Sequence, residues 1–159
     1  MKNQFPRFAI TFFPLFILLI SCEDNPVSNN KINYSNSIEQ EVHQLINSHR
    51  TGIGLEPLEW SDIIANECRN HSIEMANSHT INHDGFYDRV NKIKDTIPWS
   101  WAGENVAYNY TAQGAVTAWL NSPGHKSNIE SNSNLTGVGV AFDEDSVMYF
   151  TQIFIKSSE

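Results

Sequence analysis

Three titratable side chains stand beside small or turn-forming neighbours: His83 in "INHDG", Glu104 in "AGENVAY" and His125 in "SPGHKSN". An imidazole can exchange a proton near neutral pH or ligate a metal through its neutral nitrogen. A carboxylate can act as a general base, orient an imidazole or bind a cation. None of the three sits in a spacing that specifies a reaction. "HTINH" places His79 and His83 at i and i+4, a metal-ligand spacing, but it lacks the glutamate of HExxH. The chain has no GxSxG, no P-loop and no cysteine-based zinc site. From the residues alone the expectation is a cleft lined by His and Glu.

The elements that must position these residues can be read from periodicity. Ser37 to Arg50 opens with a capping box, Ser37 and Gln40, and continues with Ile38, Val42, Leu45, Ile46 and His49 at helical spacing. His43 lies off that stripe and is expected in solvent. A second helix over Ser61 to Ser78 carries Ile64, Cys68, His71 and Met75 on one stripe, with Ala65 and Ala76 alongside. His49 and His71 are read as hydrogen-bonded core or rim residues, and Cys68 as a buried thiol. "NHDGFYDRVNKI" reads as a turn and short helix that Asp84 could cap. "WSWAGENVAYNY", interrupted by Gly103, reads as an irregular loop leading into a short extended segment.

Thr111 to Asn121 is a third helix with Val116, Trp119 and Leu120 inward. Ser122 can cap a fourth, with Pro123 at its first position. The tail is a hairpin: "GVGVAF" and "VMYFTQIFI" joined by "DEDS". The last strand is apolar on both faces, so layers must cover both sides of the sheet. Helices first and strands last predict an α+β layered sandwich and not a βαβ fold.

Residues 1–22 have a positive start, Lys2 and Arg7, then an apolar run from Phe8 to Ile20 that is too short for a comfortable span. They read as a signal peptide, and "LISC" resembles a lipobox in which Cys22 is acylated and becomes the first mature residue. Residues 23–36, rich in Asn and Ser, read as a flexible polar tether. Residues 37–159 are then one domain, with no internal repeat. Removal of residues 1–22 takes away two of the ten basic residues and none of the 18 acidic ones, so the net charge moves from −8 to −10. Such a surface argues against a nucleic-acid partner and against electrostatic docking on anionic lipid. Attachment to the membrane would fall to the lipid on Cys22. With Cys22 acylated, only Cys68 remains, and no intramolecular disulfide can form.

"NHDGFYDRV", "AGENVAY", "AVTAWLNSPGHKSNI", "TGVGVAF" and "YFTQIF" occur in that order. Together they resemble the bacterial, SCP-like branch of the CAP superfamily, which unites cysteine-rich secretory proteins, antigen 5 and plant pathogenesis-related proteins of group 1. The resemblance runs from about Ile38 to Ile155 and implies a three-layer α-β-α sandwich with a central cleft. It implies two histidines and two glutamates in the cleft of eukaryotic members. His83 matches the first histidine and Glu104 the first glutamate. Ser122 stands at the second glutamate and Tyr149 at the second histidine. Bacterial members often show this pattern with a histidine in "SPGH", here His125. The eukaryotic disulfides are absent as well.

Zinc usually takes three or four N, S or O ligands. His83, Glu104 and His125 would offer a weak open zinc site, and Tyr149 is a poor ligand unless its phenol ionises. At the start of a helix, His125 would be held neutral and near a site suited to anions. The function implied is a binding module, with no cofactor required, for a small apolar or lipid-like ligand or a partner. The alternative is a hydrolase, metal-assisted or not, using Glu104 with His83 or His125. A monomer is expected, lipid-anchored outside the cytoplasm, on the outer membrane if the cell has one.

Overall fold

The computed structural model describes residues 26–158. Five helices, α1 (Pro26–Gly52), α2 (Asp62–Ser78), α3 (Phe86–Lys94), α4 (Ala112–Asn121) and α5 (Pro123–Ile129), surround four strands. The strands are β1 (Glu59–Trp60), β2 (Trp99–Tyr108), β3 (Leu135–Phe142) and β4 (Met148–Ser157), in the order β1-β3-β4-β2. β4 runs antiparallel to both neighbours, and β1 pairs parallel with β3. The fold is α+β, as the pattern of elements predicts, with the β3–β4 hairpin at its centre.

Directly opposed residues of an antiparallel pair share a face. Glu104, opposite Ile153, therefore lies on one face with Val106, Tyr149 and Gly137. Asn105, opposite Gln152, lies on the other with Val138, Phe150 and Phe154. The first face packs Ile153 and Ile155 against Ile64 and Cys68 of α2 and Val90 and Ile93 of α3. The second packs Val138, Phe150 and Phe154 against Val42 and Ile46 of α1, Val116 and Trp119 of α4 and Ile129 of α5. Both sides of β4 are covered, which is why it carries no solvent face. α2 lies directly on β3. A Cβ at Gly137 would stand 2.2 Å from the Ala65 nitrogen, and one at Gly139 2.1 Å from the Arg69 nitrogen.

Four local expectations are corrected. α1 begins at Pro26, so Ser37 lies inside the helix and not at its N-cap. Once Ile38, Val42 and Ile46 are buried, adding earlier turns needs only propagation and no new nucleus. His43 is half-buried. Its Nε2 lies 2.9 Å from the Leu58 carbonyl, and its ring packs edge-on against Trp60 at 5.4 Å. α3 is preceded by Gly85 in the left-handed region, with no side-chain cap, so Asp84 does not cap it. The expected loop at "WSWAGENVAY" is the ten-residue strand β2, paired with β4 from Trp99 to Tyr108 apart from an irregularity between Trp99 and Trp101. Cross-strand pairing overrides the weak strand preference of Gly103.

Among the described residues, the outer edge of β2 has no strand beside it. Two of its carbonyls are instead met by side chains. Trp119 Nε1 donates to Val106 O at 2.9 Å, and Asn128 Nδ2 to Glu104 O at 3.1 Å. α4 and α5 thus close the edge against a further strand, and they bring the "SPGH" turn beside Glu104.

Candidate functional site

Glu104 is 7% exposed and Arg89 5%. A carboxylate at that depth is costly unless it is paired and hydrogen-bonded. Arg89 supplies the pair. Its Nε donates to Oε2 at 3.1 Å, and its Nη2 donates to Oε1 at 2.9 Å and to Oε2 at 2.7 Å. Arg89 Nη1 donates to the Asp84 carbonyl, tying the guanidinium to the turn before α3. The fork geometry of arginine suits this two-oxygen grip.

His83 adds the remaining contact. Its Nδ1 lies 2.8 Å from Glu104 Oε1. A carboxylate only accepts, so Nδ1 is the donor in this contact, and in the neutral ring the lone pair falls to Nε2. The His83 side chain is 52% exposed, so that nitrogen is within reach of solvent and ligand. The arrangement can hold an imidazole in one tautomer and present a single basic nitrogen.

His125 is half-buried on α5, and its carbonyl accepts from Asn105 Nδ2 at 3.1 Å. Loss of solvent pushes its imidazole below its ordinary pKa, and the nearby His83 adds to the shift. Both causes favour the neutral ring. Ser122 occupies the N-cap position of α5 with extended backbone, but its side chain makes no capping hydrogen bond. Lys126 N donates to the Ser122 carbonyl at 2.8 Å, so the main chain does the joining. The expected hydroxyl cap is corrected to that extent.

Tyr149 belongs to a different cluster. It is 3% exposed, stacks on Tyr108 at 5.9 Å, and its hydroxyl pairs with Asp143. Burial, then Asp143 and Tyr108, push the phenol above its ordinary pKa. His79 Nδ1 lies 3.3 Å from Asp143 Oδ2. Since α2 ends at Ser78, the i, i+4 spacing of "HTINH" does not put His79 and His83 on one helical face; each goes to its own carboxylate.

A closed zinc site does not fit these residues. Both oxygens of Glu104 already accept from Arg89, and a dication there would face the guanidinium. Among the described residues, no three His, Cys, Asp or Glu side chains gather in metal-ligating geometry. The sequence reading missed Arg89, Asn105 and Asn128. Arg89 had a signal: a charged residue next to Val90 on the apolar face of a short helix needs a buried partner. Asn128, which also donates to Asn105 Oδ1 at 2.9 Å, had none.

Residues 43–154 match the family model described as "CAP: Cysteine-rich secretory protein family". The chain is 36% identical over 124 residues to the "Uncharacterized membrane protein YlbC" of Bacillus subtilis, covering 74% of this chain and 34% of that protein. It is 33% identical over 121 residues to the "Uncharacterized protein YkwD" of the same organism, covering 74% of this chain and 46% of the relative. The chain thus spans less than half the length of both curated relatives. Among solved structures, an extracellular SCP-domain protein of Bacillus anthracis superposes with a TM-score of 0.70 at 29% identity, covering 80% of this chain and 43% of that one.

Proposed function

Because this chain belongs to the CAP (cysteine-rich secretory protein) family, we propose that it works outside the cytoplasm as a binding module whose cleft beside His83 and His125 holds a small ligand. One observation carries this reading: Glu104, the buried acid of the site, spends its oxygens on Arg89 and His83. It is a structural anchor for an imidazole and not a free base. What faces outward is the imidazole of His83 and the ring of Tyr87, which lies 5.4 Å from that of Phe86, itself half-buried against the core. Tyr87 is 77% exposed. A hollow of about 440 Å³ runs along His83, Asp84, Phe86, Tyr87 and Asp88.

An apolar ring system with one hydroxyl matches that lining. The hydroxyl donates to His83 Nε2, and the body packs on the Tyr87 ring. Asp84 and Asp88 disfavour an anionic head. Location outside the cytoplasm is supported by the signal-like residues 1–22, by the words "membrane protein" for YlbC and by "extracellular protein" for the Bacillus anthracis neighbour. Cys22 would carry the anchor; it lies outside the described residues. Native mass spectrometry of the protein from its own envelope should show a co-purifying neutral lipid that His83→Ala loses. Repeatedly empty spectra, with no uptake from added envelope lipids, sink the proposal.

The hydrogen bond between Glu104 and His83 also favours a second reading, a hydrolase in which His83 is the base and Glu104 its orienter. Turnover abolished by His83→Ala and only weakened by His125→Ala would select it.

A further inference from the structure

On the opposite face of the sheet lies a second, larger hollow of about 860 Å³, lined by Trp101, Lys126, Ser127, Glu130, Asn132 and Lys156 among others. It shares no lining residue with the hollow at His83. It continues into another of about 420 Å³ that shares Glu130, Ser131, Asn132 and Lys156 and reaches Arg50. Together they form a groove along α5 and the loop that follows it.

Its wall is built from the sheet. Trp101 and Lys156 are cross-strand partners. A Cβ at Gly103 would stand 2.6 Å from Trp101 Cη2 and 2.8 Å from Asn128 Oδ1. The missing side chain lets the indole lie over the strand and form one side of the groove.

Its floor is cationic. Arg50 is 2% exposed and donates to four backbone carbonyls: Glu56 at 2.9 Å, Ile129 at 2.7 Å, Ser131 at 3.0 Å and Ser133 at 3.2 Å. Among the described residues it has no carboxylate partner, and neither has Lys156. Lys126 meets Glu130 only at 3.8 Å, while Glu130 is held by His49 at 2.8 Å. The acids present are Glu130 and, at the far end, Glu56. Arg50, Lys126 and Lys156 outnumber Glu130 and Glu56 by one, on a chain of net charge −8, and this local excess favours an anion at the two lysines.

The rest of the lining says what kind of anion. It offers one aromatic plane, the Ser127 hydroxyl and the Asn132 amide; the side chains of Ser131, Ser133 and Asn134 are spent on one another, on Asn128 and on Ser157 and shape the loop instead. A fatty chain needs continuous apolar walls, which this loop does not supply. An extended peptide needs free strand-edge groups, and the Glu104 and Val106 carbonyls of the β2 edge are taken by Asn128 and Trp119. A sugar ring stacks its C–H face on an indole, shares its hydroxyls with serine and asparagine, and gives a carboxylate to lysine. We propose that this groove binds a short stretch of acidic oligosaccharide, with Trp101 as the stacking platform and Lys126 and Lys156 as the anion contacts.

The full chain is titrated by calorimetry and tryptophan fluorescence with tetragalacturonate, and with neutral maltotetraose and tetraglutamate beside it. Saturable binding of tetragalacturonate is expected, weakening as salt rises, with both comparison ligands about tenfold weaker or worse. Lys156→Ala, at a site whose side chain holds no other part of the fold, should weaken binding about tenfold. Trp101→Ala should quench the fluorescence response and the binding together. No saturable binding, equal binding of tetraglutamate or maltotetraose, or full affinity in Lys156→Ala overturns the proposal.

Discussion

At the scale of single residues, the pair of Glu104 and Arg89 decides most. Both side chains are buried, so removing one charge strands the other. Glu104→Gln is expected to lower stability by about 3–5 kcal/mol in chemical denaturation, the usual cost of a broken buried pair. Replacing both, Glu104→Leu with Arg89→Met, should cost much less than the single change. A Glu104 acting only as a base would leave stability unmoved. His125 makes a second prediction. Its folded pKa lies below the ordinary value of about 6.5, so the native state resists a proton that the unfolded chain takes up. Stability contributed by the neutral ring is full above that value and is lost as pH falls toward the folded pKa. NMR titration should place its midpoint below that of a free histidine, and His125→Gln should flatten the fall in Tm between neutral and mildly acid pH. His83 and Glu104 were legible as a pair of chemical candidates, because their types and neighbours stand out in the chain. That they touch, and that Arg89 absorbs the charge, was not legible, since α3 and β2 meet only after folding.

At the scale of elements, the contact between α2 and β3 is the tightest constraint. Gly137→Ala or Gly139→Ala would drive a methyl into the backbone of α2, which has no side chain that can swing aside. Overpacking costs about 1–3 kcal/mol and more where backbone must move, as here, and thermal unfolding should show it. Gly124, in the "SPGH" stretch, has nothing within 4 Å of a built Cβ. Gly124→Ala should stay within about 0.5 kcal/mol of the parent. Loss of ligand binding without loss of stability in that variant would mark a close approach of the ligand at α5. The helices and the hairpin were readable because burial repeats along them with a fixed period. β2 was not, because its glycine and mixed aromatics carry no alternation. Its structure comes from the partner strand and from Trp119 and Asn128 closing its edge.

At the scale of the whole molecule, the acidic domain and the apolar leader divide the labour proposed for them. A domain of this charge gains nothing from anionic lipid, and the anchor proposed for it is the lipid on Cys22. Cys22→Ser should therefore move the protein from the membrane pellet to the soluble fraction, read by immunoblot. An unchanged pellet would show that attachment lies elsewhere. The same acidity makes the cationic groove under Trp101 stand out, although its parts come from Arg50, Lys126 and Lys156, far apart along the chain.

The sequence alone determined the α+β class, the helices that carry periodic apolar stripes, the closing hairpin and the family, because each is written in local spacing or ordered motifs. Which charges neutralise one another emerged from the packing. It sent Tyr149 to Asp143, Arg89 to Glu104 and Arg50 to a ring of carbonyls. The physical reason is that buried charge is settled by whichever partner the packing brings within hydrogen-bond reach, and that distance is not encoded in separation along the chain.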